Sequence, residues 1–391
     1  MRHFFNRLLS FYHFLWALGG AVFYGFPSRK IFVLGVTGTK GKTTTLELIN
    51  AILETAGKKT ALLSSIRIKI GVESRKNLLG NSMPGRAFIQ KFLRQAVRSG
   101  CQYALIEVTS QGVLQYRHRF IKWDAALFTN LKPEHLEAHG GFENYREAKL
   151  KFFRYVKNKL FFINQDDENA RYFEAAAKNG KIIKYSSYNL ESNLFNDFNK
   201  KNLAAAVAFA KSQDISEEII KKALANFSGV PGRLEIVQEK PFKVIIDYAH
   251  TPDSLEKVYQ TLENWKLKIE NSRMICVLGS AGGGRDKWKR PKMGEIAAKY
   301  CQEIILTNED PYDENPQEIL NQIEAGMNGK NFSEILDRRE AIEKALFLAK
   351  NGDTVIITGK GCEPYLHLAR GQKIPWDERK IVEEYNYKNG D

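Results

Sequence analysis

The sequence predicts an α/β protein: a central domain built on a parallel sheet, then a smaller Rossmann-like α/β domain, with a short hydrophobic helix before both. Apolar runs alternate with helical ones from Lys30 to about Phe162, which is the βαβ rhythm of a parallel sheet covered by helices. A glycine-rich turn follows the first of these apolar runs. The alternation starts again after Gly229-Val230-Pro231-Gly232, and a chain of 391 residues is long enough for two domains.

These patterns predict a hydrophobic segment at residues 1–29, a central domain at 30–235 and a C-terminal domain at 236–391. In the central domain, Ile31–Leu34 is short and uniformly apolar, as a parallel strand with two buried faces should be. Thr43–Ala56 is a helical run that stops before Gly57, a residue that commonly ends helices. We predict, in chain order, a strand at Thr60–Ser64, a helix at Gly85–Gly100, strands at Tyr103–Glu107 and Ala125–Thr129, a helix at Tyr145–Tyr155, a strand at Leu160–Asn164 and two alanine-rich helices between Asn199 and about Phe227.

The C-terminal domain shows the same alternation with fewer elements. A helix is predicted after Thr251-Pro252-Asp253, and a glycine-rich loop at Gly279–Gly284 precedes a second helix. The predicted strands are Val244–Asp247, Met274–Leu278, Glu303–Thr307 and Asp353–Thr358.

The N-terminal segment is unusually hydrophobic. Leu8–Phe26 contains no formal charge, although Ser10, His13 and a Gly-Gly pair interrupt its apolar character. It has no small-residue cleavage site before Pro27, which argues against a signal peptide. Three interpretations stay open: a helix packed on the protein or on a partner, a helix at a membrane surface, and a helix that spans the bilayer. We therefore expect a cytoplasmic protein, with contact to the inner face of the membrane as one option.

Composition excludes some classes of protein. The net charge is +14, but the basic residues are scattered and no nucleic-acid motif is present, so we expect no nucleic-acid partner. Anionic substrates and a membrane surface remain compatible with this charge. No C-x-x-C pair exists, which argues against a zinc ribbon. Cys101, Cys276 and Cys301 lie in or beside apolar runs and are predicted to be buried thiols in a reducing compartment.

The glycine-rich turn has the pattern of a nucleotide phosphate loop. It reads Gly-Val-Thr-Gly-Thr-Lys-Gly-Lys-Thr-Thr-Thr over residues 35–45, between a strand and a helix. Glycines allow backbone N–H groups to converge on phosphate oxygens, and the helix N-terminus adds partial positive charge. Lys42 is placed to reach the β- and γ-phosphates, and the Thr43 hydroxyl to bind Mg²⁺. The nucleotide-binding candidates are Gly38, Thr39, Lys40, Gly41, Lys42, Thr43 and Thr44.

Further polar residues follow neighbouring strands. Glu107 ends a predicted strand, and a carboxylate at the carboxyl end of a parallel strand beside a phosphate loop is well placed for Mg²⁺. His135 also follows a strand. Taken alone, a histidine such as His135 is more often a hydrogen-bonded structural residue than a ligand, and Lys149 would be a solvated helix residue.

Together these motifs resemble the Mur ligase family, and most closely its UDP-N-acetylmuramoyl-tripeptide synthetase branch. The resemblance runs from about Lys30 to the C-terminus, and one departure is Lys40, where the family loop usually has Asn. The matching motifs, in chain order, are the phosphate loop, Glu107-Val108-Thr109-Ser110-Gln111-Gly112, the H-L-x-x-H-G and Y-x-x-A-K patterns at 135–140 and 145–149, Gly232-Arg233-Leu234-Glu235, Asp247-Tyr248-Ala249-His250-Thr251-Pro252-Asp253, R-D-K-x-K-R-P at 285–291 and G-K-G-x-E at 359–363.

The resemblance implies a role for each matching residue. Lys42 and Thr43 would bind ATP and one Mg²⁺, with Glu107 as a further ligand, and His135 would bind a second Mg²⁺. Lys149 matches the lysine that the family carbamylates, and Arg233 would help to neutralise the charge of the transferred phosphoryl group. The remaining matches fall into two groups: Asn199, Asn202, Arg233, Asp247 and His250 hold the nucleotide, and Asn81, Ser82, Thr109, Gln115 and Arg117 hold the muramoyl-peptide substrate.

The amino-acid end departs from the family pattern. The branch carries D-N-P-R where it accepts diaminopimelate, and here Glu309, Asp310, Pro311 and Tyr312 occupy that motif. Tyr312 removes a bidentate carboxylate partner, whereas Glu309 and Asp310 add negative charge that favours a side-chain ammonium. Lysine or another diamino acid is compatible with this pattern. A different arginine could also take the place of the missing one and bind the distal carboxylate. Other matches to the acceptor site are Arg285, Gly359 and Glu363.

The resemblance therefore implies an ATP-dependent, ADP-forming ligase of peptidoglycan precursor synthesis that works through an acyl phosphate. Three-domain members carry an N-terminal domain for the UDP-sugar, whereas only about thirty hydrophobic residues precede the core here. We expect either a partner that supplies this domain or a lipid-linked donor. The alternatives are another ligase of the superfamily, acting on lipid-linked stem peptides, folylpolyglutamate or poly-amino acids, and a non-catalytic nucleotide-binding scaffold at the membrane.

Overall fold

The computed structural model describes residues 2–134, 136–187, 197–266 and 272–389, with side chains from Phe11 onward. The chain divides into two compact units, one up to Ser228 and one from Gly229. The elements of the first unit are the strands β1 Phe32–Thr37, β2 Thr60–Leu63, β3 Arg67–Ile70, β4 Glu73–Lys76, β5 Tyr103–Glu107, β6 Ala125–Phe128, β7 Leu160–Asn164 and β8 Lys181–Tyr185, and the helices α1 Arg2–Phe23, α2 Lys42–Thr55, α3 Arg86–Arg98, α4 Ser110–Leu114, α5 Leu136–His139, α6 Phe142–Tyr155, α7 Ala170–Ala176, α8 Asp197–Ser212 and α9 Glu217–Ala225.

The first unit is built on an eight-stranded sheet with the order β4-β3-β2-β5-β1-β6-β7-β8. The six strands from β2 to β8 in that order run parallel, and β3 and β4 extend the sheet as an antiparallel hairpin. Successive residues of a strand face opposite sides of the sheet, so neighbouring residues pack in different cores. Val33 packs in the core with α3 and α6, whereas Leu34 packs in the core with α2 and α8.

The strand order places β1 between β5 and β6. The carboxyl end of β1 is the start of the phosphate loop, and the carboxyl ends of its two parallel neighbours lie beside it. Open α/β sheets bind their ligands at this edge. The sheet therefore brings Glu107 at the end of β5, and the residues that follow Phe128 at the end of β6, next to the loop.

The second unit has a six-stranded sheet with the order β13-β12-β11-β14-β10-β9, parallel except for β9, and a small hairpin of β15 and β16. Its elements are the strands β9 Glu235–Gln238, β10 Lys243–Asp247, β11 Met274–Leu278, β12 Glu303–Leu306, β13 Ser333–Glu334, β14 Thr354–Thr358, β15 Tyr365–His367 and β16 Lys373–Pro375, and the helices α10 Pro252–Lys266, α11 Lys289–Tyr300, α12 Pro316–Glu324, α13 Arg338–Leu348 and α14 Glu378–Asn389. Two helix-covered sheets of this kind confirm the predicted fold class.

The prediction for two of the cysteines was wrong. Cys276 in β11 and Cys301, just before β12, form a disulfide, whereas Cys101 is a buried free thiol as predicted. The two strands are parallel neighbours, with Cys276 opposite Ile304. Cys301 lies three residues before Ile304, where the chain enters β12, and its sulfur therefore lies beside that of Cys276. Spacing along the chain could not reveal this pairing, because the sheet order creates it.

The N-terminal hydrophobic segment is helical, as predicted. Helix α1 packs on α3, and a short 3₁₀ turn at Pro27–Lys30 leads from α1 into β1. Among the described residues, none of the helices combines the length and the apolar character that crossing a bilayer requires.

Candidate active site

The phosphate loop is shaped by two glycines that no other residue could replace without strain. Gly38 has φ +149°, and a Cβ there would collide with the Thr129 hydroxyl oxygen. Gly41 has φ +81°, and a Cβ there would collide with the side-chain oxygen of Asn202. Both residues lie in the φ region that favours glycine. The loop backbone can therefore curl tightly between β1 and α2, as a phosphate-binding loop must.

Residues that follow β6 hold this loop from the side. The Lys40 N–H donates to Asn130 Oδ1 at 2.9 Å, and the Thr39 N–H donates to the Asn130 carbonyl at 2.8 Å. The Thr129 hydroxyl donates to the Lys40 carbonyl at 2.7 Å. Sequence reasoning gave no role to Thr129 or Asn130. A signal was available, because Asn and Thr side chains readily hydrogen-bond nearby backbone groups in turns, and this pair directly follows a predicted strand.

The Thr43 hydroxyl at the start of α2 lies beside the Glu107 carboxylate at the end of β5. The Thr43 hydroxyl donates to Glu107 Oε2 at 3.0 Å, and the Ser65 N–H donates to the same oxygen at 3.1 Å. Lys42 Nζ lies 3.9 Å from Glu107 Oε1 and donates to the Thr39 carbonyl at 2.9 Å. Hydroxyl and carboxylate oxygens are the ligands that Mg²⁺ prefers. Thr43 and Glu107 are therefore the residues here that would hold a magnesium ion.

Lys149 of α6 also contacts the phosphate loop. It is almost completely buried, and its Nζ donates to the Gly38 carbonyl at 2.7 Å and lies 4.6 Å from the centre of the Tyr145 ring. Burial, together with the nearby Lys42 ammonium, lowers the pKa of Lys149 well below its usual range, and Glu134 and Glu107 oppose this only in part. The structure thus places a lysine with a lowered pKa in contact with the phosphate loop.

The other predicted nucleotide-binding residues of the first unit also lie at the loop. Thr39 shares a 3.1 Å hydrogen bond with the Tyr145 hydroxyl, and Lys40 forms an ion pair with Glu134 at 3.1 Å. Asn202 contacts Gly41 and donates to Asn199 Oδ1 at 3.3 Å, and Thr44 is buried in α2. His135, the predicted second metal ligand, lies outside the described residues.

The predicted donor-binding residues are joined by arginine side chains. Arg117 Nη2 donates to Gln115 Oε1 at 2.6 Å, and Arg117 also contacts the Met83 carbonyl next to Ser82. Arg117 Nε is buried and has no hydrogen-bond partner among the described residues. The Asn81 side chain accepts from the Met83 N–H at 3.0 Å, and Thr109 caps α4 by accepting from the Gly112 N–H at 3.0 Å.

Arg86, which sequence reasoning did not select, belongs to the same group. Its Nε donates to the Gln115 carbonyl at 2.8 Å. Burial and the neighbouring Arg86 guanidinium lower the pKa of Arg117. Two neighbouring guanidinium groups, one of which has an N–H without a hydrogen-bond partner among the described residues, are suited to a carboxylate or a phosphate.

In the second unit, the three predicted nucleotide-binding residues lie just before β9 and at or just after the end of β10. The Arg233 guanidinium lies 4.3 Å from the centre of the Tyr248 ring. The Asp247 carboxylate accepts from the Leu234 N–H and the Ala249 N–H, each at 2.7 Å, and thereby fixes both turns. His250 Nδ1 lies 2.8 Å from the Tyr248 carbonyl.

The predicted acceptor residues form a second charged cluster in this unit. Lys360 Nζ donates to both carboxylate oxygens of Asp310, at 2.9 and 2.8 Å, and to Glu363 Oε2 at 2.6 Å. The Tyr248 hydroxyl donates to Glu363 Oε1 at 2.8 Å. Lys360 therefore balances the charge of Asp310 within the protein. The sequence analysis had instead paired Asp310 with an ammonium group of the substrate.

Glu309 is the carboxylate that keeps an unsatisfied atom. It is buried, its Oε2 has no hydrogen-bond partner among the described residues, and the absence of a side chain at Gly359 makes room for it. Burial raises its pKa, although Lys289 and Arg338 oppose the shift. Tyr312 stacks on the His367 ring, with centroids 5.1 Å apart, and Arg285 lies close enough that the Tyr312 and Glu309 side chains influence its pKa.

Comparison with known protein families matches both units of the chain. Residues 36–224 match the Mur ligase middle domain, and residues 232–361 match the Mur ligase glutamate ligase domain. A UDP-N-acetylmuramoyl-L-alanyl-D-glutamate–2,6-diaminopimelate ligase of Syntrophomonas wolfei is 39% identical over 94% of this chain and 81% of its own length. The ligase of the same name from Aquifex aeolicus is 37% identical over 93% of this chain and 79% of its own length.

Solved structures show the same relationship. A UDP-N-acetylmuramoyl-L-alanyl-D-glutamate–2,6-diaminopimelate ligase matches 92% of this chain and 79% of its own, with 28% identity and a TM-score of 0.61. The folylpolyglutamate synthase of Mycobacterium tuberculosis, solved with ADP and AMPPCP, covers 88% of this chain and 92% of its own with a TM-score of 0.70. Its identity of 14% shows likeness of fold alone. On the matches to both domains and the identity to the curated ligases, the chain belongs to the Mur ligase family.

Proposed function

We propose that this Mur ligase joins a diamino acid to the terminal carboxylate of a muramoyl dipeptide and converts ATP to ADP and phosphate. The observation that carries the proposal is the group formed by Lys42, Thr43, Glu107 and Lys149 around the phosphate loop. It is a site for ATP with a magnesium ion. The relatives named above, which are diaminopimelate ligases of the muramoyl dipeptide, support the choice of substrates.

The reaction follows from the charges that must be neutralised. A carboxylate oxygen of the donor attacks the γ-phosphorus, the bond to ADP breaks, and an acyl phosphate forms. The amine of the acceptor then attacks the carbonyl carbon and loses a proton, and phosphate leaves to give the amide. Neither step needs a protein nucleophile, so catalysis comes from positioning and charge. Magnesium held by Thr43 and Glu107 would supply part of that charge, and Lys42 the rest.

Lys149 takes a particular role in this proposal: it is carbamylated. A neutral amine attacks carbon dioxide, a bond forms between Nζ and carbon, and one proton is released, which leaves an anionic carbamate. Burial lowers the pKa of Lys149 and so increases the share of the neutral amine, which is the reactive form in this step. A carbamate beside the site of Thr43 and Glu107 would attract magnesium, whereas an ammonium would repel it.

The carbamate is testable without turnover. Protein equilibrated with ¹³C-labelled bicarbonate and magnesium should show a carbamate carbon resonance, which Lys149→Met removes. Lys151→Met is the matched control, because Lys151 is an exposed residue of the same helix. A carbamate signal that survives Lys149→Met, or no signal in the wild type, contradicts this role of Lys149.

The substrates are assigned to the two clusters by charge. We infer that Arg117 and Arg86 bind an anionic group of the donor, since both guanidinium groups converge on the loops at Ser82 and Gln115. Glu309 and Arg285 would bind the ammonium and carboxylate of the acceptor. The choice between lysine and diaminopimelate turns on Tyr312, which stands where diaminopimelate enzymes carry arginine.

The experiment is phosphate release from ATP and magnesium with UDP-muramoyl-dipeptide as donor. Lysine, diaminopimelate and ornithine are supplied in turn as acceptors. Turnover that depends on donor and on one acceptor, lost in Lys42→Ala and kept in Lys151→Ala, supports the proposal. Protein that binds ATP but turns over with none of the acceptors contradicts it for the UDP-linked donor. The same assay with a lipid-linked muramoyl dipeptide then decides between the two forms of donor.

A further inference from the structure

One face of helix α1 packs against the rest of the first unit. Ala17 and Ala21 are buried, and Gly20 lies so close to α3 that an added Cβ would be 3.0 Å from Ala87 Cα. Phe14 packs edge-on against Phe120, with ring centroids 5.1 Å apart. Small residues at this contact let the two helices approach closely, so α1 is a fixed part of the surface and not a loose tail.

The opposite face of α1 is apolar and exposed. Its large side chains recur at helical spacing and lie on one side of the helix. Phe23 is 81% exposed and Phe11 is 61% exposed, which is unusual for phenylalanine in a folded domain. The residues that form this outer face are Phe11, Tyr12, Leu15, Trp16, Val22 and Phe23.

The surroundings of the outer face are basic. The sequence contains no Asp or Glu in residues 1–46 or 74–106, and these segments include α1, the turn at Pro27–Lys30 and α3. The exposed basic residues on these elements are Arg29, Lys30, Lys91 and Arg98. An anionic surface matches this arrangement, whereas a second copy of the same face would bring like charges together.

We propose that α1 lies in the plane of an anionic lipid bilayer, with the outer face among the acyl chains and headgroups and the basic residues on the headgroup charges. Aromatic side chains such as Trp16 and Tyr12 favour the boundary between the headgroups and the hydrocarbon. An amphipathic helix flanked by Lys and Arg binds such a surface through buried apolar area and electrostatic attraction together. Among the described helices none is suited to cross the bilayer, which agrees with an in-plane position.

The bilayer contact would lie on the donor side of the first unit. His13, on α1, contacts Arg86, and Arg86 donates to the Gln115 carbonyl at 2.8 Å. The inference rests on the exposed outer face of α1 and on the basic residues of the neighbouring turn and α3, so it stands or falls separately from the ligase activity.

Vesicle flotation tests the proposal with the full chain. Vesicles of phosphatidylcholine with about one third phosphatidylglycerol should carry the protein, vesicles of pure phosphatidylcholine should carry much less, and salt at about 0.5 M should release it. Trp16→Glu should reduce the bound fraction about tenfold or more, because it places a charge in the centre of the outer face. The matched control is Phe347→Glu, which makes the same change at a 72% exposed phenylalanine of α13 in the other unit.

A second measurement does not depend on a charge-introducing variant. Brominated lipid should quench tryptophan fluorescence in the wild type, and Trp16→Phe should remove most of that quenching. Binding to anionic vesicles that is equal in Trp16→Glu and the wild type overturns the proposal, as does an absence of binding. A lipid-free dimer that Trp16→Glu converts to monomer, without vesicle binding, also overturns it and identifies a second copy as the occupant.

Discussion

Lys149 shows most clearly how one residue couples stability to function. Its amine is buried, and its folded pKa lies below the unfolded value, so at any pH between these two values the unfolded chain binds a proton that the folded chain does not. Stability should therefore rise with pH until the unfolded pKa of about 10.4 is reached, by up to about 1.4 kcal/mol per pH unit. The group costs most stability at low pH and least at high pH.

We predict that Lys149→Met raises the melting temperature in metal-free buffer depleted of carbon dioxide. The gain over the wild type should shrink as the pH increases from 7 to about 10, since the wild type itself becomes more stable over that range. Calorimetry at several pH values measures this difference. Lys151→Met, at an exposed position of α6, should show no such pH dependence. A gain that grows with pH would mean that Lys149 is buried as a cation.

Tyr312 is the residue that should set acceptor preference. Tyr312→Arg supplies the guanidinium that diaminopimelate-accepting members of the family place at this position. We expect the ratio of kcat/KM for diaminopimelate to that for lysine to rise roughly tenfold or more, because a hydrogen bond to a charged group contributes about 1.5–3 kcal/mol. Competition assays with both amino acids measure the ratio. Tyr387→Arg, with the same charge change at a 91% exposed residue, should leave the ratio unchanged.

At the scale of elements, the phosphate loop depends on the strand beside it. Gly38 approaches the residue after β6 so closely that any side chain would displace Thr129, which in turn holds the Lys40 carbonyl. The shape of the loop therefore depends on the residues that follow β6 as much as on its own glycines.

We predict that Gly38→Ala weakens ATP binding about tenfold or more, since strained backbone of this kind costs about 1–3 kcal/mol. Isothermal titration with a non-hydrolysable ATP analogue measures the change. Gly85→Ala is the control, because an added Cβ meets nothing within 4 Å there and φ is ordinary. Unchanged affinity in Gly38→Ala would show that the loop reshapes freely.

The elements that sequence reasoning missed share a physical reason. Most of the parallel strands were predicted because burial on both faces makes them continuous apolar runs, as in Tyr103–Glu107. The parallel edge strands β8 and β13 were missed, and most of their residues are exposed. The strands β3, β4, β9, β15 and β16 are antiparallel and short, and at least one face of each is polar or exposed. Their pairing depends on neighbours that are fixed only in three dimensions, so a single sequence carries little signal for them.

For the whole molecule, both domains could be predicted from the order of motifs, and the individual site contacts could not. The motifs placed Thr43 and Glu107 at one sheet edge, but not the bracing of the loop by Asn130, nor the pairing of Asp310 with Lys360. Each of these contacts joins residues at least 50 positions apart. Long-range pairs of this kind follow from strand order, which spacing does not encode.

The disulfide gives a prediction at the same scale. Of the four cysteines, Cys101 and Cys362 are free, and Cys276 and Cys301 are paired. Unfolded, non-reduced protein should therefore react with two equivalents of a thiol reagent, and reduced protein with four. In the folded protein Cys362 should react first, because burial raises the pKa of the Cys101 thiol. If all four thiols react without reduction, Cys276 and Cys301 are reduced, as the sequence analysis predicted.

The alternation of cores across the large sheet has a consequence for how this protein can change. On β5, Ala104 and Ile106 pack in one core, whereas Leu105 between them packs in the other. Substitutions at adjacent positions of a strand should thus combine additively, while those two positions apart should depend on each other. The residues on one face of the sheet can therefore change independently of those on the other face. The phosphate loop at the carboxyl edge can be retained while the helices on either face are replaced.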